Sequence, residues 1–76
     1  MVFEQVQQII AEHLGLEASK IRLDSDMEGL GADSFDMYDM IESFEEKFDI
    51  EIPDEHADKI KNVGDFVKFI ENHVDN

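Results

Sequence analysis

The chain has 76 residues, of which 20 are acidic and six basic, for a net charge of −14; 42% are hydrophobic and none is cysteine. This length has room for one core, so a single domain over 1–76 is expected; disulfides and thiolate metal sites are excluded, and the charge argues against nucleic acid and anionic membrane as partners. No apolar run nears the roughly 20 residues of a membrane span, and Met1-Val2-Phe3-Glu4 lacks the basic stretch and apolar core of a signal peptide, so a cytoplasmic monomer without membrane insertion is expected.

Residues 2 to 15 read as a helix, because Phe3, Val6, Ile9, Ile10 and Leu14 recur at spacings of three and four and Gly15 is a natural stop. Residues 16 to 33 are a long connection, with Ile21, Leu23, Met27 and Leu30 as scattered apolar anchors and room for a short helical turn. A second helix is predicted from Ser34 to Phe48, with Tyr38, Ile41, Phe44 and Phe48 facing inward and Met37 and Met40 beside them. Gly31-Ala32-Asp33-Ser34 supplies its turn and two candidate capping side chains. Ile50-Glu51-Ile52-Pro53 is extended before proline, and Pro53 suits the first turn of a short helix to about Ile60. After a break at Asn62-Val63-Gly64-Asp65, a last helix is expected from Asp65 to His73, with Phe66, Val67, Phe69 and Ile70 apolar. The fold class is therefore all-α: a small antiparallel bundle of three longer helices and one short one, with a long loop between the first two.

Charge is not spread evenly. Between Asp24 and Asp58 lie 14 of the 20 acids and a single base, Lys47. Asp33, Asp36, Asp39, Glu42 and Glu45 recur every third residue, and Glu46 and Asp49 extend the set. Residues three apart are neighbours on a helix, so these form one spiralling acidic ridge whose like charges repel by a few tenths of a kcal/mol per pair. Solubility alone does not call for such concentration. A docking strip for Lys/Arg patches does, because screened long-range attraction brings fast arrival and modest affinity.

A serine at a helix start is most often only a cap. Ser34 has a second aspect. First-turn N–H groups lack partners and the helix dipole favours an anion there, so a phosphodiester would sit well on this hydroxyl. His13, His56 and His73 fall in three different segments and no nucleophile-elbow pattern surrounds Ser34. An autonomous catalytic serine, and hence an enzyme, is not expected.

Gly31-Ala32-Asp33-Ser34-Phe35-Asp36 resembles the Gly-Ala-Asp-Ser-Leu-Asp attachment motif of type II acyl carrier proteins. Further matches follow in register at Glu45-Glu46-Lys47-Phe48, Asp49-Ile50-Glu51-Ile52-Pro53-Asp54-Glu55, Lys59-Ile60 and Val63-Gly64-Asp65. Val6-Gln7-Gln8-Ile9-Ile10 and Leu14-Gly15 resemble the family's first helix, so the likeness spans essentially the whole chain. It implies that a phosphopantetheinyl transferase attaches 4'-phosphopantetheine to Ser34. The thiol of that arm would hold acyl groups as thioesters and carry them between fatty-acid synthesis enzymes. The acyl chain would also fold back between the helices. Gly31 would shape the turn, and Asp33 and Asp36 would help the transferase recognise the site. Met37, Asp39, Met40, Glu42, Glu45 and Glu46 are the expected docking residues for enzymes with basic patches.

Two departures stand out. Phe35 replaces the usual leucine and brings the motif closer to the Asp-Ser-Phe of D-alanyl carrier proteins. Glu42 stands where the second helix usually presents an apolar residue outward. Carriage of D-alanine, another amino acid or a polyketide is thus the first alternative. A calcium-responsive interaction module is the second. Asp24-Ser25-Asp26-Met27-Glu28-Gly29 copies the opening of a calcium loop, but its twelfth position is Phe35 rather than a bidentate glutamate. The three histidines share no ligand spacing, so no specific metal site is expected.

Overall fold

A computed structural model describes residues 1–74. Helix α1 spans Val2–Leu14, a single 3-10 turn covers Ala18–Lys20, and α2 spans Ser34–Phe48. Then come a short α3, Asp54–Ala57, and α4, Val63–His73. The described residues form no strand; one isolated bridge joins Asp26 and Asn62.

Helix α1 packs against both α2 and α4. Its buried face is Val6, Ile10 and Ala11, with Phe3, Ile9 and Leu14 half-buried along the edges. Gly15 ends it with φ +70°, the left-handed conformation that glycine adopts without a Cβ clash. The Gly15 and Leu16 N–H groups both donate to the Ala11 carbonyl. At the centre of the core the rings of Phe44 and Phe66 meet at 4.8 Å with a 57° tilt. Each such side chain, fully withdrawn from water, contributes about 1.5–3 kcal/mol.

The long connection is pinned, as its apolar anchors lead one to expect. Ile21 and Met27 are buried, while Leu23 is exposed. The Gln7 amide on α1 donates to the carbonyls of Ala18 (2.7 Å) and Ile21 (2.9 Å). Backbone bonds then join the loop to the start of α4 and the residues before it: Met27 N–H to Lys61 O, Val63 N–H to Ser25 O, and Gly64 N–H to Leu23 O at 2.8 Å. A Cβ on Gly64 would stand 3.0 Å from the Leu23 carbonyl oxygen, so the close approach favours glycine.

Several expectations are corrected. The short helix stops at Ala57 rather than Ile60. Beyond it Lys59 and Ile60 make tighter bonds to His56 and Ala57, so that Ile60 is buried and Asn62 reaches Asp26 in an extended conformation. Pro53 is that helix's N-cap rather than its first turn. Helix α4 begins at Val63, two residues early, because the Asn62 and Asp65 side chains form a capping box. Tyr38 does not face the core; it is 61% exposed. It lies six residues before Phe44, about 120° around the helix, whereas Met37, Met40 and Ile41 fall on the Phe44 side. Phe48, expected to face inward, is half-buried against the core, as is Phe69.

Candidate functional site

The connection ends in a tight turn. Leu30, Gly31 and Ala32 donate their N–H groups back to Asp26, Met27 and Glu28 carbonyls. Gly31 has φ +93°, and a Cβ there would touch nothing, so its role is conformational rather than steric. Asp33 is the N-cap of α2. Its carboxylate accepts the Asp36 N–H at 2.8 Å, and the Asp36 carboxylate accepts the Asp33 N–H at 3.1 Å. Of the two capping candidates, Asp33 caps.

Ser34 is left as the first helical residue, exposed, its hydroxyl without a hydrogen-bond partner among the described residues. The Ser34 and Phe35 N–H groups likewise meet no acceptor among the described residues. An accessible hydroxyl beside unpaired N–H groups at the positive end of a 15-residue helix fits a phosphate ester.

Asp36 ties this turn to α1. Its Oδ1 lies 3.2 Å from His13 Nε2. The Asp33 backbone N–H is the main reason its carboxyl sits below the ordinary carboxylate range; partial burial opposes this, and the His13 imidazole adds to it. His13 was not among the predicted site residues. It is 23 positions away, and only the packing of α1 on α2 brings the pair together.

Beside Ser34, α2 and the α3 segment enclose a cavity of about 290 Å³. Met37, Ile41, Ala57 and Ile60 make its apolar wall. Tyr38, Asp54, Asp58 and Lys61 line it as well.

The expected docking residues divide. Asp39, Glu42 and Glu46 are exposed on α2, and Glu42, Glu45, Glu46 and Asp49 border one surface depression. Glu45 is half-buried, and its Oε2 accepts the Ile52 N–H at 2.8 Å. Met40 is corrected: four residues from Phe44 on the same helix face, it is wholly buried and presents nothing to a partner. Met37 is half-buried and turned to the cavity. The large apolar side chains exposed on α2 are Phe35 (79%) and Tyr38 (61%). Among the described residues, no three His, Cys, Asp or Glu side chains gather closely enough to hold a metal ion, and no helix is long and apolar enough to cross a membrane.

The family model described as "Phosphopantetheine attachment site" matches residues 4–70, which defines the chain as a phosphopantetheine attachment domain and phosphopantetheine as its covalently bound prosthetic group. The acyl carrier protein of Clostridium acetobutylicum is 49% identical over 76 residues, covering 99% of each chain. That of Helicobacter acinonychis is 49% identical over 73 residues, 95% of this chain and 94% of its own. The solved acyl carrier protein of Enterococcus faecalis superimposes with a TM-score of 0.80 at 33% identity, over 93% of this chain and 91% of that one. The chain belongs to the acyl carrier protein family.

Proposed function

We propose that residues 1–76 act as one carrier domain, without catalytic activity of its own, holding fatty acyl chains on an arm attached to Ser34. The observation that carries this reading is the exposed Ser34 hydroxyl in the first turn of α2, without a hydrogen-bond partner among the described residues and next to a cavity with one apolar wall. Gly31 sets the turn's reversal, and the Asp33–Asp36 box holds Ser34 at the helix start. A phosphopantetheinyl transferase would join the Ser34 oxygen to the phosphate of coenzyme A. The hydroxyl proton departs, the pyrophosphate bond breaks, and the nucleotide half leaves. The bound group supplies a terminal thiol that carries the cargo as a thioester. Asp39, Glu42 and Glu46 form the exposed charge that meets basic patches on the transferase and on acyl-transferring enzymes, with Phe35 and Tyr38 as apolar contacts.

Incubation with coenzyme A and a phosphopantetheinyl transferase, followed by intact-protein mass spectrometry, tests the attachment. Wild type should gain one pantetheinyl adduct and Ser34→Ala none. Because Ser34 is not the helix cap, Ser34→Ala should keep its stability within about 0.5 kcal/mol, so a missing adduct cannot be put down to unfolding. An adduct on Ser34→Ala would sink the assignment. Phe35 keeps a second cargo in view, given its likeness to the Asp-Ser-Phe of D-alanyl carriers. Loading assays with acyl-chain and amino-acid adenylating enzymes separate the two.

A further inference from the structure

Lys61 lines the same cavity as Ser34, and it is the one base among the described residues that do so. Its surroundings are acidic. Asp54 and Asp58 line the cavity with it, and Asp33 and Asp36 flank Ser34. The backbone of Lys61 is held on both sides of its Cα: its N–H donates to Asp65 Oδ2 at 2.9 Å, and its carbonyl accepts the Met27 N–H at 2.9 Å. The side chain is nonetheless uncommitted. Lys61 is in none of the ion pairs among the described residues, although two carboxylates share its cavity.

A phosphodiester on Ser34 would add a negative charge where four carboxylates already repel it. We propose that Lys61 is a positioning residue for the arm, its ammonium pairing with the phosphodiester and turning the arm's first bonds toward the α2–α3 cavity. This rests on the reading that Ser34 bears the arm. A lysine suits the task, since its compact charge and three rotatable donors on a flexible stem meet a phosphate without a fixed fork geometry. The attraction is stronger beside a partly enclosed cavity than in bulk water. It also yields: a partner that brings its own Lys or Arg to the phosphate replaces Lys61 and lets the arm swing out.

The test is made on loaded protein. Wild type, Lys61→Gln and Lys61→Arg are converted with coenzyme A and transferase, and mass spectrometry establishes the adduct. Phosphorus-31 relaxation of the single phosphodiester is then measured at low and high salt. Wild type should show restrained phosphorus motion that high salt releases; Lys61→Gln should lose both the restraint and its salt dependence, and Lys61→Arg should recover them. Equal relaxation in wild type and Lys61→Gln at low salt overturns the role of Lys61 and leaves Ser34 attachment standing. Failure of wild type to form any adduct overturns both. Melting curves of the unloaded variants establish that they fold alike.

Discussion

Asp36 shows how much one carboxylate does at this site. It closes the α2 cap through the Asp33 N–H, anchors the turn that carries Ser34, and meets His13 on α1. Its carboxyl is depressed below the ordinary value, first by the Asp33 N–H and then by His13. The folded state therefore binds this proton less readily than the unfolded chain. The stabilisation is fully present above the unfolded carboxyl pKa of about 3.9 and is lost as pH falls from there through the lower folded value. Asp36→Asn should melt at a lower temperature than wild type at pH 7, and the gap should narrow on acidification below pH 4. A gap that stays constant with pH would show that the loss does not come from the carboxylate charge. Little of this was legible beforehand. Asp36 stood out by its spacing and motif, but a partner 23 residues away leaves no periodic trace.

Elements were read best where apolar spacing is strongly periodic. Helices α1 and α2 lie where their patterns place them, and α2 runs from Ser34 to Phe48 as expected. Tyr38 and Met40 were exchanged because spacings of three and four drift in opposite directions around a 3.6-residue turn. Only the position of Phe44 in the core decides between them. Helix α4 was started late for a different reason: Asn62-x-x-Asp65 is a capping box, but Gly64 inside it looks like a breaker. Gly64 is there for the Leu23 carbonyl, a tertiary demand. The Asn62 side chain accepts the Asp65 N–H at 2.8 Å. Asn62→Ala should cost about 1 kcal/mol and lower the melting temperature by roughly 4–8 °C. Thermal denaturation followed by far-UV circular dichroism reads this, and an unchanged midpoint would deny the cap its role.

At the scale of the molecule the dominant fact is the net charge of −14, with 14 of the 20 acids between Asp24 and Asp58. Local bonds absorb some of the repulsion, as at Asp36 and Glu45. Asp39, Glu42 and Glu46 remain exposed and close on α2. A domain of this size has a stability of only several kcal/mol, so screening that repulsion should be visible. Raising salt, or adding millimolar magnesium, should raise the melting temperature of the unmodified protein. A midpoint that stays put or falls would mean that the ridge is not a burden on the fold. The concentration of charge was plain in the sequence. The cavity was not, since it exists only where α2 and α3 fail to close on one another.

The two sides of that cavity are secured very differently. Helix α2 carries three buried side chains, Met40, Ile41 and Phe44, and is riveted along its length. Helix α3 is a single turn with none. The chain around it is fastened by buried Ile52 before and by buried Ile60 and the Asn62 bridge after, with Ala57 half-buried between. A guest pressing outward from within would meet a fixed jamb on one side and a shutter on the other, so room for a longer guest would come from α3 yielding while the hydroxyl's own helix stays still.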